Sequence, residues 1–115
     1  MAEFSFVAPI LPGKTDAWRQ AVAEITGPRN AAYKESRRTH GIKREHVSLQ
    51  STPMGDVVIV HMDAPDQQGV MRAMMQSTSE FDTWFREAVL VNVHGFDAKG
   101  APPPPVTVIL DLIKG

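Results

Sequence analysis

The chain contains no cysteine. Disulfides, zinc–thiolate centres and thiolate nucleophiles are therefore excluded, and a reducing compartment is the natural setting. Long apolar runs are missing as well. No stretch approaches the roughly 20 residues that cross a bilayer. No basic N-terminal segment leads through an apolar run to a cleavage site. These absences point to a cytoplasmic protein with no membrane partner. An excess of one charge is also lacking: the net charge is −1, which argues against a nucleic-acid partner. There is no phosphate-cradling glycine loop, no Gly-x-Ser-x-Gly elbow and no paired-glutamate motif. No cofactor is expected, and any enzyme activity is narrowed to cofactor-free acid–base or oxygen chemistry.

What is present suits one globular domain. The 115 residues are 43 % hydrophobic and 22 % charged, enough to bury a core without staples. A single domain over 1–115 is expected. Charge is uneven along it: between Arg29 and His46 six Lys or Arg stand against two Glu. A solvated helix end explains such a run, and an anion-attracting lip on a pocket is the sharper reading.

Periodicity supplies the elements. Phe4, Phe6, Ala8 and Ile10 alternate as a first strand, closed by Pro12-Gly13. Thr15 or Asp16 can cap a helix whose inner face is Trp18, Ala21, Val22 and Ile25. Gly27-Pro28 interrupts, and a second helical segment runs from Arg29 to Thr39 with Ala32 and Ser36 inward. His40-Gly41 ends it, with glycine as a left-handed cap. Ile42–Thr52 and Val57–Met62 read as strands around a turn at Pro53-Met54-Gly55-Asp56. The second is nearly all β-branched and so central. Val70, Ala73 and Met74 mark another helix. Ser79 with Asp82 resembles a capping box that opens a run ending at His94-Gly95. Val106 to Ile113 reads as a last strand. The fold class expected is α+β, a ferredoxin-like βαββαβ with a four-stranded antiparallel sheet. Its first and last strands carry apolar residues toward both faces, so a homodimer formed through the second face is expected.

The stretches ESRRTHGIKREHVSLQSTPMGDVVIVHMDA (Glu35 to Ala64) and FDTWFREAVLVNVHGFD (Phe81 to Asp97) resemble the dimeric α+β barrel superfamily. Within it the chain is similar to a group of small bacterial proteins without an assigned activity. The resemblance implies two sheets facing each other and a ligand cavity in each subunit between sheet and helices. The superfamily hosts monooxygenases, isomerases and haem-degrading enzymes, so fold implies little about chemistry. No catalytic residue carries over. The haem-degrading members' asparagine on strand one and tryptophan on strand three are Ser5 with its phenylalanine neighbours, and His61, here.

The candidate site residues follow from the hairpin's register. With a two-residue turn at Met54-Gly55, partners sum to 109. Val47, Leu49, Val58, Val60 and Met62 then share one face, and His46, Ser48, Gln50, Ile59, His61 and Asp63 the other. A glycine-bulged three-residue loop inverts the relation. In the first register Ser48 lies opposite His61, His46 is diagonal to it, and Asp63 lies beside His46. A nearby carboxylate raises a histidine's basicity, so His61 or His46 is the candidate base. Paired polar groups in strands are also commonly structural. His46, His61 and Asp63 lack tight metal-ligand spacing, so no metal is expected. Tyr33, Arg37, Arg38 and His40 cluster at a helix end, where an arginine could hold a carboxylate in a bidentate fork. Trp84, with Phe81 and Phe85, reads as core or as the wall of an apolar pocket. His94 reads as a helix-end group. Together these suggest a binder of a small apolar or acidic compound, as a cofactor-independent monooxygenase or isomerase. The alternative is a non-enzymatic stress or assembly module.

Overall fold

The computed structural model describes residues 2–96. The order is β1 (Ala2–Pro9), α1 (Thr15–Thr26), α2 (Asn30–Thr39), β2 (Arg44–Thr52), β3 (Gly55–Ala64), α3 (Gln67–Gln76) and α4 (Glu80–Phe85). The last helix widens into a π-helical segment, Arg86–Val91. The fold is α+β, with an antiparallel sheet ordered β1-β3-β2. This corrects the four-stranded βαββαβ expectation: among the described residues the sheet has three strands. The strand expected at 106–113 lies outside them.

β3 is central, as its β-branched run requires. On β1 it pairs Phe4 with Met62, Phe6 with Val60 and Ala8 with Val58. These residues form one face of the sheet, and the core is built on it with Val70, Met74 and Val93. Alternation is what puts them together, since side chains two apart share a face. Pro9 ends β1 at a strand terminus, where its missing N–H costs least.

The β2–β3 pairing differs from the expected register. Thr52 pairs with Gly55 and His46 with His61, so the turn is Pro53-Met54. A primed turn at Met54-Gly55 would need a positive φ at Met54. The chain instead keeps its positive φ on Gly55, at 120°. Thr52 secures the turn, its Oγ1 accepting from Met54 N at 3.1 Å and donating to Gly55 O at 2.7 Å. A shift of two residues preserves which residues share a face but changes every cross-strand neighbour.

The helix ends carry three further corrections. Neither Thr15 nor Asp16 caps α1: Lys14 stands at its N-cap with no side-chain capping bond. Thr15 donates to Asp56 at 2.6 Å instead, tying α1 to the start of β3. On α2 Ser36 is buried as expected, but its buried companion is Arg37, and Ala32 is exposed. At α4, Ser79 Oγ accepts from Asp82 N at 3.1 Å, which is half a capping box. The Asp82 carboxylate turns away to α2. Gly41 ends α2 with a φ of 76°, the left-handed cap its sequence signals. Arg86 Nη1 reaches back to the carbonyls of Met74, Met75 and Ser77 at 2.9–3.1 Å, satisfying acceptors that the end of α3 leaves free. No helix among the described residues is long and apolar enough to cross a membrane.

Candidate functional site

Between the helices and the core face of the sheet lies a cavity of about 300 Å³. Trp18, Ala21, Val22 and Ile25 face it from α1, the stripe that periodicity predicts. Phe6, Val58, Val60 and Met62 form its floor, and Met71, Met74 and Phe85 close another side. The methionines therefore border the space without filling it.

One end of this apolar chamber is polar. Arg37 and Glu45 are both buried and bonded, Nε to Oε1 at 2.7 Å. Tyr33 donates its hydroxyl to the same oxygen at 2.8 Å. The Arg37 guanidinium also lies over the Tyr33 and Phe85 rings, at 4.9 and 4.7 Å from their centroids. Burial first, and the Glu45 charge second, push the Tyr33 hydroxyl up to about 12. It remains a neutral donor at any physiological pH.

From Arg37 the polar network runs inward. Arg37 Nη1 donates to Ser36 Oγ at 3.3 Å, Ser36 donates to Asp82 at 2.5 Å, and His40 Nε2 donates to the other Asp82 oxygen at 2.8 Å. Burial alone would raise the Asp82 carboxyl. Hydrogen bonds from Ser36, Ser77 and His40 outweigh it and hold the group at about 2. Buried charge is tolerated here because each group finds charged or hydroxyl partners.

His94 is the residue that periodicity undervalued. It lines the cavity, and its Nδ1 bonds the Pro9 carbonyl at 2.8 Å. A carbonyl can only accept, so Nδ1 carries the proton and neutral Nε2 is the acceptor. Nε2 has no hydrogen-bond partner among the described residues. Burial pushes the ring below its ordinary value, against the opposing effect of the Pro9 bond. A neutral imidazole with a free acceptor nitrogen in an apolar chamber is a competent proton acceptor. The sequence signal for it is slight: His94 precedes the left-handed Gly95, which marks a helix end and nothing more.

The structure separates the other predicted residues. Tyr33 and Arg37 share the polar end with Glu45. Arg38 points outward and pairs with Glu35, both side chains largely exposed. Trp84 is not part of the cavity lining; it packs on Phe81, and the Arg29 guanidinium covers its ring at 4.2 Å. His61, His46 and Asp63 lie on the opposite face of the sheet from the cavity. There His46 stands directly across from His61, and Asp63 lies between Glu3 and Arg44. Asp63 Oδ1 is buried without a partner. His61 bonds two residues of β1: Nδ1 lies 2.8 Å from Ser5 Oγ and Nε2 lies 3.1 Å from Glu3 Oε1. With Nε2 donating to the carboxylate, Nδ1 accepts from the serine. This relay of hydroxyl, imidazole and carboxylate is open to solvent, with Glu3 68 % exposed. It lacks the water-excluded setting in which such groups gain most. Among the described residues no group of three or more His, Asp or Glu is arranged to hold a metal ion.

No family model, no curated protein and no solved structure matches the chain.

Proposed function

We propose that this protein binds a small, mainly apolar molecule in the chamber between its helices and its sheet. The observation that carries the proposal is the chamber itself: about 300 Å³, apolar walls and one polar end. That size and lining suit a ligand pocket. Arg37 is already neutralised by Glu45, so the polar end offers hydrogen bonds more than net charge. The binding unit we propose is a homodimer closed by the second sheet face, in the manner of dimeric α+β barrels. Val7 on that face is 57 % exposed, and Ile59 is its cross-strand neighbour.

A second reading adds chemistry to binding. His94 supplies a neutral base beside the bound molecule, which suits a cofactor-independent isomerase or monooxygenase that begins by removing a proton. The base assigned from sequence to His61 or His46 moves to His94 in this reading, because only His94 borders the chamber.

Native mass spectrometry of the freshly purified protein tests both parts. A dimer that carries, or takes up, one apolar molecule per chain is expected, with 1-naphthol as the added probe. Ala21→Phe, which fills the chamber from α1, should abolish uptake and leave the dimer intact. Absence of uptake by the natural chain would overturn the binding proposal and favour a non-enzymatic assembly module. A monomer would overturn the dimer.

A further inference from the structure

The chamber has a neighbour of opposite character. A shallow groove of about 560 Å³ runs along the end of α2 and the start of β2, lined by Lys34, Arg38, Lys43 and Arg44. Arg38 is engaged by Glu35. Lys34, Lys43 and Arg44 are exposed, and their side chains form no ion pair among the described residues. Lys34 and Lys43 therefore bring two unneutralised cations to one groove, while Arg44 stands at its edge across from Asp63. Tyr33, Arg37 and Glu45 line this groove and also line the chamber. The two spaces therefore adjoin at these three residues.

We propose that the ligand is a single-chain amphiphile with an anionic head, a phosphate, sulfonate or carboxylate. This rests on the binding role of the chamber. Its apolar chain occupies the chamber and its head lies in the basic groove, with the molecule passing Tyr33, Arg37 and Glu45. The groove supplies the charge that the chamber's own polar end cannot, since Arg37 is neutralised there. The chamber supplies the apolar burial that a surface cluster of lysines lacks. Passing there displaces the Tyr33–Glu45 hydrogen bond, the bond in that cluster whose donor is uncharged. The Arg37–Glu45 ion pair stays closed.

Isothermal titration with octyl phosphate, octanol, octyltrimethylammonium and inorganic phosphate tests this on the full chain. Octyl phosphate should bind at least tenfold more tightly than each of the others. The double variant Lys34→Glu/Lys43→Glu changes only exposed side chains. It should weaken octyl phosphate at least tenfold and leave octanol unchanged. Equal binding of octyl phosphate and octanol would overturn the inference and leave the chamber proposal standing. Inorganic phosphate binding as tightly as octyl phosphate would reduce the groove to an anion site and overturn it too. No binding by any of the three octyl compounds would remove both proposals.

Discussion

Arg37 shows how much one residue can be asked to do. It is 6 % exposed, yet its charge meets Glu45, its Nη1 meets Ser36, and its flat face meets two aromatic rings. A buried ion pair adds little net stability over a well-packed apolar pair, but breaking it from one side strands a charge. Arg37→Met should therefore cost about 3–5 kcal/mol, read from urea unfolding. Adding Glu45→Leu should recover most of that loss. If the double variant is no more stable than the single, the cost lies in lost packing over Tyr33 and Phe85 and not in the stranded carboxylate. His94 makes the opposite point. Its importance is positional, through one bond to a carbonyl at the far end of β1, and a carbonyl leaves no mark in a side-chain pattern.

At the scale of elements, most of the chain was legible. Alternation in β1 and β3 identified the core face, and the 3.6-residue spacing of Trp18, Ala21, Val22 and Ile25 identified the face of α1 that meets the cavity. What stayed hidden was whatever depends on pairing between distant segments. The face shared by His46 and His61 followed from parity, which a two-residue shift preserves. Their neighbours did not, because the turn is decided by which residue can take a positive φ. Ser5 and Glu3 joined His61 only through the β1–β3 register. α2 was read only in part: Ser36 is inward as expected, but Ala32 is exposed and Arg37 is buried, because Glu45 waits for its charge on β2. A hydrophobicity pattern passes over such positions. The separation of Trp84 from the cavity is of the same kind, since Arg29 covers a ring whose spacing alone suggests a wall.

For the whole molecule, one buried group and two half-buried ones make stability depend on pH. The Asp82 carboxyl is held at about 2, below its ordinary 3.8, so its contribution is present above 3.8 and is lost as pH falls toward 2. His94 is depressed below 6.5, so burying it neutral stabilises the fold above that value and the contribution fades as pH falls below it. Tyr33 is raised from 10.0 to about 12, so its contribution is present below 10.0 and is lost as pH rises toward 12. Urea midpoints measured from pH 2 to 12 should show a plateau between neutral pH and about 10, with losses on both sides. Tyr33→Phe should flatten the alkaline limb and leave the acid limb unchanged. An alkaline limb of undiminished slope in that variant would show that another group controls it.

The strand order has a consequence in time. β2 and β3 meet across a two-residue turn, whereas Ser5 finds His61 across a sequence separation of 56. Closing a short loop is fast, and distant pairings pay their chain entropy before any contact rewards it. The hairpin should therefore acquire amide protection first during refolding and β1 later, with pulsed hydrogen exchange as the measurement; simultaneous protection of all three strands would contradict that order. β1 brings Phe6 and Ala8 to the floor of the chamber and the Pro9 carbonyl to His94. The chamber is then the last part of the fold to come into being, and whatever it holds can be recognised only by a chain that has finished folding.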